Sequence, residues 1–185
     1  MRIFNRRFTF IFLILLSSLV AAQKGLQAET EFNSNCFVQY TPFYEKLLSA
    51  GVFDIPVTQP NGQAESVQIL FLKARMFHYS WDKAHREQWQ SAEETSRVFS
   101  GNCADKGIWL YTHLRRNGYQ NVSLVIGRYS PSSKVLHMWL TYVDPSGNKL
   151  LLDPTIQRKI WKVEDFSQRF YKPLYILSGS DCISV

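Results

Sequence analysis

The stretch from Val135 to Leu152 constrains the fold more than any other part of this 185-residue chain. Two apolar runs flank Asp144-Pro145-Ser146-Gly147-Asn148, and a turn of that composition joins antiparallel neighbours. With the apolar run just upstream, the spacing predicts three strands: about Val122 to Tyr129, Val135 to Val143, and Lys149 to Leu152. A helix near Val163 to Phe170 and a last strand, Pro173 to Leu177, are expected to follow. Upstream the pattern is helical. Thr41 and Pro42 read as N-cap and first residue of a short helix to about Ala50, ended by Gly51, and Ile55 to Gly62 reads as a loop. Val67, Leu70, Ala74, Phe77 and Trp81 recur at threes and fours, which predicts a helix from Ala64 to about Gln90. Ser91 to Gly101 is a polar connection or short helix. A further helix is expected from Asn102 to Asn117, closed by Gly118. Helices followed by hairpin-linked strands make an α+β fold.

The helix expected from Asn102 carries a cysteine in its first turn. Counting from Cys103, Gly107, Leu110 and Leu114 fall four, seven and eleven residues on, along one buried face. Cys103 therefore points from the helix tip towards the strands. Unpaired N–H groups and the positive end of the helix dipole favour a thiolate there, and the same groups suit a developing oxyanion. Taken alone, such a cysteine reads as an ordinary core residue. The hairpin alters that reading. His137 is in phase with Val135, Trp139 and Val143, and Asp153 closes the next strand before Pro154. If Val143 pairs with Asn148, His137 and Asp153 fall within one residue of opposite positions, where neighbours lie about 5 Å apart. A one-residue slip would change the face, so the spacing gives reach rather than orientation. In this set Cys103 attacks a carbonyl, and His137 takes the thiol proton and returns one to the leaving group. Asp153 fixes the imidazole's tautomer and stabilises its cation.

Gly101-Asn102-Cys103-Ala104-Asp105-Lys106 at a helix start, His137-Met138-Trp139 on a strand and Leu152-Asp153-Pro154-Thr155 on the next resemble the core of the transglutaminase-like superfamily. Within it, the bacterial exported cysteine peptidases carry Cys, His and Asp in the same order. Trp89-Gln90-Ser91-Ala92-Glu93-Glu94 is similar to the segment preceding their cysteine, and the likeness covers about Met76 to Thr155. It implies a papain-like α+β core, N-terminal helices with the nucleophile helix packed on an antiparallel sheet. It also implies thiol acyl transfer, usually onto water, at a peptide or amide bond of a cell-envelope protein or peptide. Related members cross-link glutamine to lysine, so a protein-glutamine acyltransferase is one alternative; a non-catalytic envelope module that keeps the fold is another. Members of the family pair the nucleophile's own N–H with an upstream side chain as oxyanion donors. Cys103 and Trp89 match those positions, with Gln88 and Gln90 as other amide donors. Asn102 stands where the bacterial peptidases often carry an acid, and Gly107 where alanine is usual. These departures bear on substrate class and on calcium, a cofactor that only the resemblance suggests.

The N-terminus sets the compartment. Arg2, Arg6 and Arg7, an apolar run to Leu16 and small residues ending at Ala22 fit a secretory signal peptide over residues 1–22, leaving 23–185 as one domain. Phe8 to Ala22 counts 15 residues, short of the roughly 20 that span a bilayer. The expected product is exported, to a bacterial periplasm or otherwise secreted, without a lasting membrane span, and monomeric. Removing three of 21 basic residues leaves 18 against 15 acidic ones, a thin excess that excludes nucleic acid as a partner. Three cysteines suggest that Cys36 and Cys182 pair and tie the chain ends while Cys103 stays free; two buried thiols are the alternative. His78, Asp82 and His85 share a helical face, but no fourth ligand accompanies them and no metal is expected. Asp105 is expected to complement the helix dipole, and His113 to be solvated. Asn121-Val122-Ser123 fits a glycosylation sequon usable only in a eukaryotic secretory host.

Overall fold

The computed structural model describes residues 41–53, 55–56, 64–81, 88–166 and 169–178, and the backbone of 181–184. The expected signal peptide, Cys36, Asp82, His85 and the side chain of Cys182 lie outside the described residues, and so does the Cys36–Cys182 pairing. Among the described residues no helix is long and apolar enough to cross a membrane.

Four helices lie on one side of a sheet. They are α1 (Tyr44–Ser49), α2 (Val67–Met76), α3 (Ala92–Val98) and α4 (Cys103–Arg116). A two-residue strand, β1 (His78–Tyr79), follows α2 and pairs in parallel with β2 (Ser100–Gly101), which leads into α4. The main sheet contains β3 (Val122–Arg128), β4 (His137–Val143), β5 (Lys149–Leu152), β6 (Trp161–Lys162), β7 (Lys172–Ser178) and β8 (Asp181–Ser184). Its order is β6-β5-β4-β3-β7-β8, and every neighbouring pair is antiparallel. This is the expected α+β arrangement.

Helix α4 is the hub. It packs on α2 and α3 from one side and on β3 and β4 from the other. Ile108, Leu110 and Leu114 are completely buried, and burying such a side chain is worth about 1.5–3 kcal/mol. Gly107 faces the sheet so closely that a Cβ would sit 3.1 Å from both Cγ and Sδ of Met138. The missing side chain lets the helix seat against β4 next to the site.

The sheet buries residues on both faces. Met138, Leu140 and Leu152 join the helix-facing core, whereas Val125, Trp139 and Leu151 form a smaller cluster with Trp161, Phe166 and Tyr171 packed against it. Gly127, opposite His137, follows a register shift in the β3–β7 pairing. A Cβ there would lie 2.2 Å from the carbonyl oxygen of Lys172 and 2.8 Å from the Trp139 ring. Only glycine permits that approach.

Three expectations are corrected. The helix drawn from Ala64 to Gln90 ends at Met76, because Phe77 turns extended (φ −60°, ψ 136°) and packs edge-on against Phe99 and Trp109. A tertiary contact thus overrides the helical period, and Trp81 is 61% exposed. The helix expected near Val163 to Phe170 is a single 3₁₀ turn, Val163–Asp165. Val143 pairs with Lys149 rather than Asn148. The turn absorbs the extra residue: Asp144 Oδ1 accepts from Ser146 N and Asn148 N, its Oδ2 accepts from Asn148 Nδ2, and Gly147 takes φ +84°. Elsewhere, Ser91 to Gly101 resolves into α3, capped by Ser91, followed by β2.

Candidate active site

Cys103 is the first residue of α4, His137 the first of β4, and Asp153 the first after β5. Because β4 and β5 are antiparallel, His137 and Asp153 arrive at the same end of the sheet. The register Leu140↔Leu152 sets Asp153 level with Trp139, one same-face step from His137. This settles the orientation that spacing left open: the two side chains share a face. His137 Nε2 lies 2.8 Å from Asp153 Oδ2, with His137 7% exposed and Asp153 fully buried.

The thiol acts on the same ring. Burial pushes the imidazolium the other way, but hydrogen bonding to Asp153 and Cys103 and their charges overcome it, and the His137 pKa is pushed up to about 9. With Nε2 committed to Asp153, Nδ1 is the nitrogen available to sulfur. Cys103 is a free, half-buried thiol. The structure therefore brings Cys103, His137 and Asp153 together.

Asp153 is held from several directions. Its Oδ1 accepts from Thr155 N at 2.9 Å and Ile156 N at 3.1 Å. Its Oδ2 also accepts from the Tyr171 hydroxyl at 2.8 Å, and Gln157 Nε2 donates to that hydroxyl at 2.8 Å. Burial first, then the charge of Asp153, raises the Tyr171 pKa far above the ordinary phenol value, so its hydroxyl keeps its proton and donates. Tyr171 takes φ +55°, left-handed for a residue with a Cβ, at a cost on the order of 1–3 kcal/mol. Its N–H donates to Tyr129 O at 3.1 Å, and its ring packs edge-on against Trp139 and Phe166. Nothing in the sequence around Tyr171 or Gln157 marks either residue; only their proximity to Asp153 does.

The start of α4 is closed by a capping box. Asn102 Oδ1 accepts from Ala104 N and Asp105 N, and Asp105 Oδ2 accepts from Asn102 N. Asp105 Oδ1 accepts from Gln90 N at 2.9 Å, which ties the strap before α3 to α4. Asp105 is thus a buried capping group, in keeping with its expected first-turn role. The Cys103 N–H takes no part in the cap.

A cleft of about 310 Å³ opens over Cys103 and His137. Trp89 lines it, stacked on Phe43 at 5.6 Å with the Lys46 ammonium 5.7 Å above its ring. Tyr79, Trp81 and Leu136 complete an aromatic and apolar rim. Gln90 Oε1 accepts from Thr95, and Gln88 is exposed and does not line the cleft. His78 sits in a strand instead of on the helical face that grouped it with Asp82 and His85. His113, expected in solvent, is half-buried and stacks on Trp109 at 3.8 Å.

No family model matches this chain, and no curated protein matches it by sequence. Solved structures do. Three structures of LapG from Legionella pneumophila superpose on it. The EGTA-treated form is 21% identical with a TM-score of 0.52, covering 64% of this chain and 65% of LapG. The calcium-bound form is 22% identical with a TM-score of 0.52, covering 66% and 71%. A further LapG structure is 20% identical with a TM-score of 0.51, covering 84% and 87%. This chain has the LapG fold. The α+β architecture implied by the sequence motifs, with the Cys103 helix packed on an antiparallel sheet, is therefore the one observed.

LapG carries calcium in one of these structures, and the groups beside Cys103 that could offer oxygen ligands are Asn102 and Asp105. Calcium takes six to eight oxygen ligands. Both Asp105 oxygens and the Asn102 side-chain oxygen accept backbone N–H groups, and among the described residues no three His, Cys, Asp or Glu side chains are arranged to hold a metal ion. This donor set does not fit a calcium ion. Adding EGTA or millimolar calcium is expected to leave the melting temperature and the rate of Cys103 alkylation unchanged. A rise of several degrees with calcium would contradict this.

Proposed function

We propose that this chain is an exported thiol hydrolase, a cysteine peptidase or amidase acting on a protein or peptide of the cell envelope. The single observation that carries the reading is the buried 2.8 Å contact of His137 Nε2 with Asp153, which leaves the other face of the imidazole to the Cys103 thiol. With the proton taken from Cys103 already held on His137 Nδ1, sulfur bonds to the substrate carbonyl carbon. The carbonyl oxygen becomes an oxyanion that the Cys103 N–H and the Trp89 indole would receive. The imidazolium protonates the departing nitrogen, the C–N bond breaks, and a thioester remains. Water then attacks, giving its proton to His137, and the acid and free thiol are released.

The aromatic and apolar cleft supports an extended peptide with apolar side chains beside the cleaved bond. Export rests on residues 1–22, whose basic, apolar and small-residue blocks read as a secretory signal. The test is a map of new protein N-termini in cell envelopes carrying the wild-type chain or Cys103→Ala. Termini found only with the wild type are expected. Identical maps, with Cys103 alkylated no faster than a thiol in an unfolded peptide, would remove the hydrolase reading. A labelled amine incorporated into the acyl product would make the enzyme a transferase.

A further inference from the structure

Two groups donate to Oδ2 of Asp153: the imidazole Nε2 of His137 and the hydroxyl of Tyr171, each at 2.8 Å. They share one oxygen while Oδ1 is filled by Thr155 N and Ile156 N. Gln157 polarises the tyrosine by donating to its oxygen. The hydroxyl is held by a backbone in the left-handed region and a ring wedged between Trp139 and Phe166. A hydroxyl needed only to fill space would not require this placement.

We propose that Tyr171 is a positioning residue of the Cys103–His137–Asp153 set. By sharing Oδ2 it limits how strongly Asp153 draws on the imidazolium proton, and Gln157 sets the strength of that limit. The proposal rests on the thiol-hydrolase reading of the site. Its chemical sense lies in the step where His137 must release a proton to the departing nitrogen. An imidazolium held too tightly is a poor acid. Competition from a second donor weakens the hold without removing the carboxylate that orients the ring.

The groups facing His137 are known. Cys103 comes from α4, Asp153 from the end of β5, and Tyr129 packs edge-on at 5.8 Å from the β3–β4 connection. Lys106, also on α4 and buried, acts on Asp153 through its charge. Among the described residues, only the Tyr171 hydroxyl joins His137 in donating to Oδ2.

The experiment is an NMR titration of the His137 ring, with histidine labelled in the imidazole, in wild type, Tyr171→Phe and Gln157→Leu. Phenylalanine keeps the ring contacts and deletes the donor. Tyr171→Phe is expected to raise the His137 pKa by about half a unit or more, since a hydrogen bond to the carboxylate is lost from its competitor. Gln157→Leu should shift it the same way by less. A purely structural tyrosine would lower the melting temperature and leave the titration in place. An unchanged or lowered pKa in folded Tyr171→Phe overturns the proposal. If that variant does not fold, an unchanged or lowered pKa in Gln157→Leu does so. The titration needs no substrate and no reactive thiol, so its outcome stands apart from the N-terminal map that tests the hydrolase reading.

Discussion

Replacing Cys103 or His137 with alanine should lower the rate of cleavage of a mapped substrate peptide by about 10³-fold or more, and the double variant should lose little beyond either single one. In the proposed mechanism the two side chains act as one unit. Without the imidazole the thiol has no acceptor for its proton, and without the thiol the imidazole has nothing to activate. Iodoacetamide offers a second reading: His137→Ala should slow Cys103 alkylation at neutral pH severalfold. The pH profile carries its own sign. His137 is raised to about 9, so its cation persists through neutrality, and cleavage should fall as the pH rises past about 9. The same shift contributes stability that is fully present below the ordinary histidine value near 6.5 and is lost as the pH rises through about 9. Additive losses in the double variant, or a profile still rising past pH 10, would contradict the assignment.

The second large effect falls on Asp153, where stability and activity can be separated. Alanine there would strand His137, the Tyr171 hydroxyl and the N–H groups of Thr155 and Ile156 around a buried hole. Breaking a buried charged pair by removing one partner costs about 3–5 kcal/mol. For a chain of this size that corresponds to a melting point lower by roughly 10 °C or more. Asparagine should behave differently. Its oxygen can keep the two backbone donors, while its amide, facing Nε2, forces the ring proton onto Nδ1. A ring protonated at Nδ1 cannot accept from sulfur. Asp153→Asn is therefore expected to fold with a much smaller loss of stability yet cleave about 10⁴-fold more slowly. Comparable melting points for the two variants would show that Asp153 does not carry this network.

The site was legible where its signals are local. A cysteine after Asn102 with Asp105 three residues beyond it is a helix start, and the capping box forms as that pattern requires. Asp144 to Asn148 is a turn, so the strands bearing His137 and ending before Asp153 had to be neighbours. What the sequence withheld depends on contacts across the chain. The pairing missed by one residue because Asp144 folds its carboxylate over the turn. The long helix failed at Phe77 because Trp109 and Phe99 offered that ring a better place. Tyr171 lies 18 residues beyond Asp153, in a segment that reads as an ordinary strand approach. Its role arises only once β7 lies beside β3.

One feature of the architecture shapes how this molecule would fail. Imidazole and carboxylate ride at the end of a single hairpin, whereas the sulfur arrives on a separate helix that packs against that hairpin, with Gly107 set close against Met138. Warming that slides the helix by a fraction of a turn would part sulfur from nitrogen while the hairpin, and nearly all of the secondary structure, stayed whole. Inactivation would then run ahead of melting, and the chemistry of a single thiol would register the loosening of the fold before any spectroscopic measure of the backbone did.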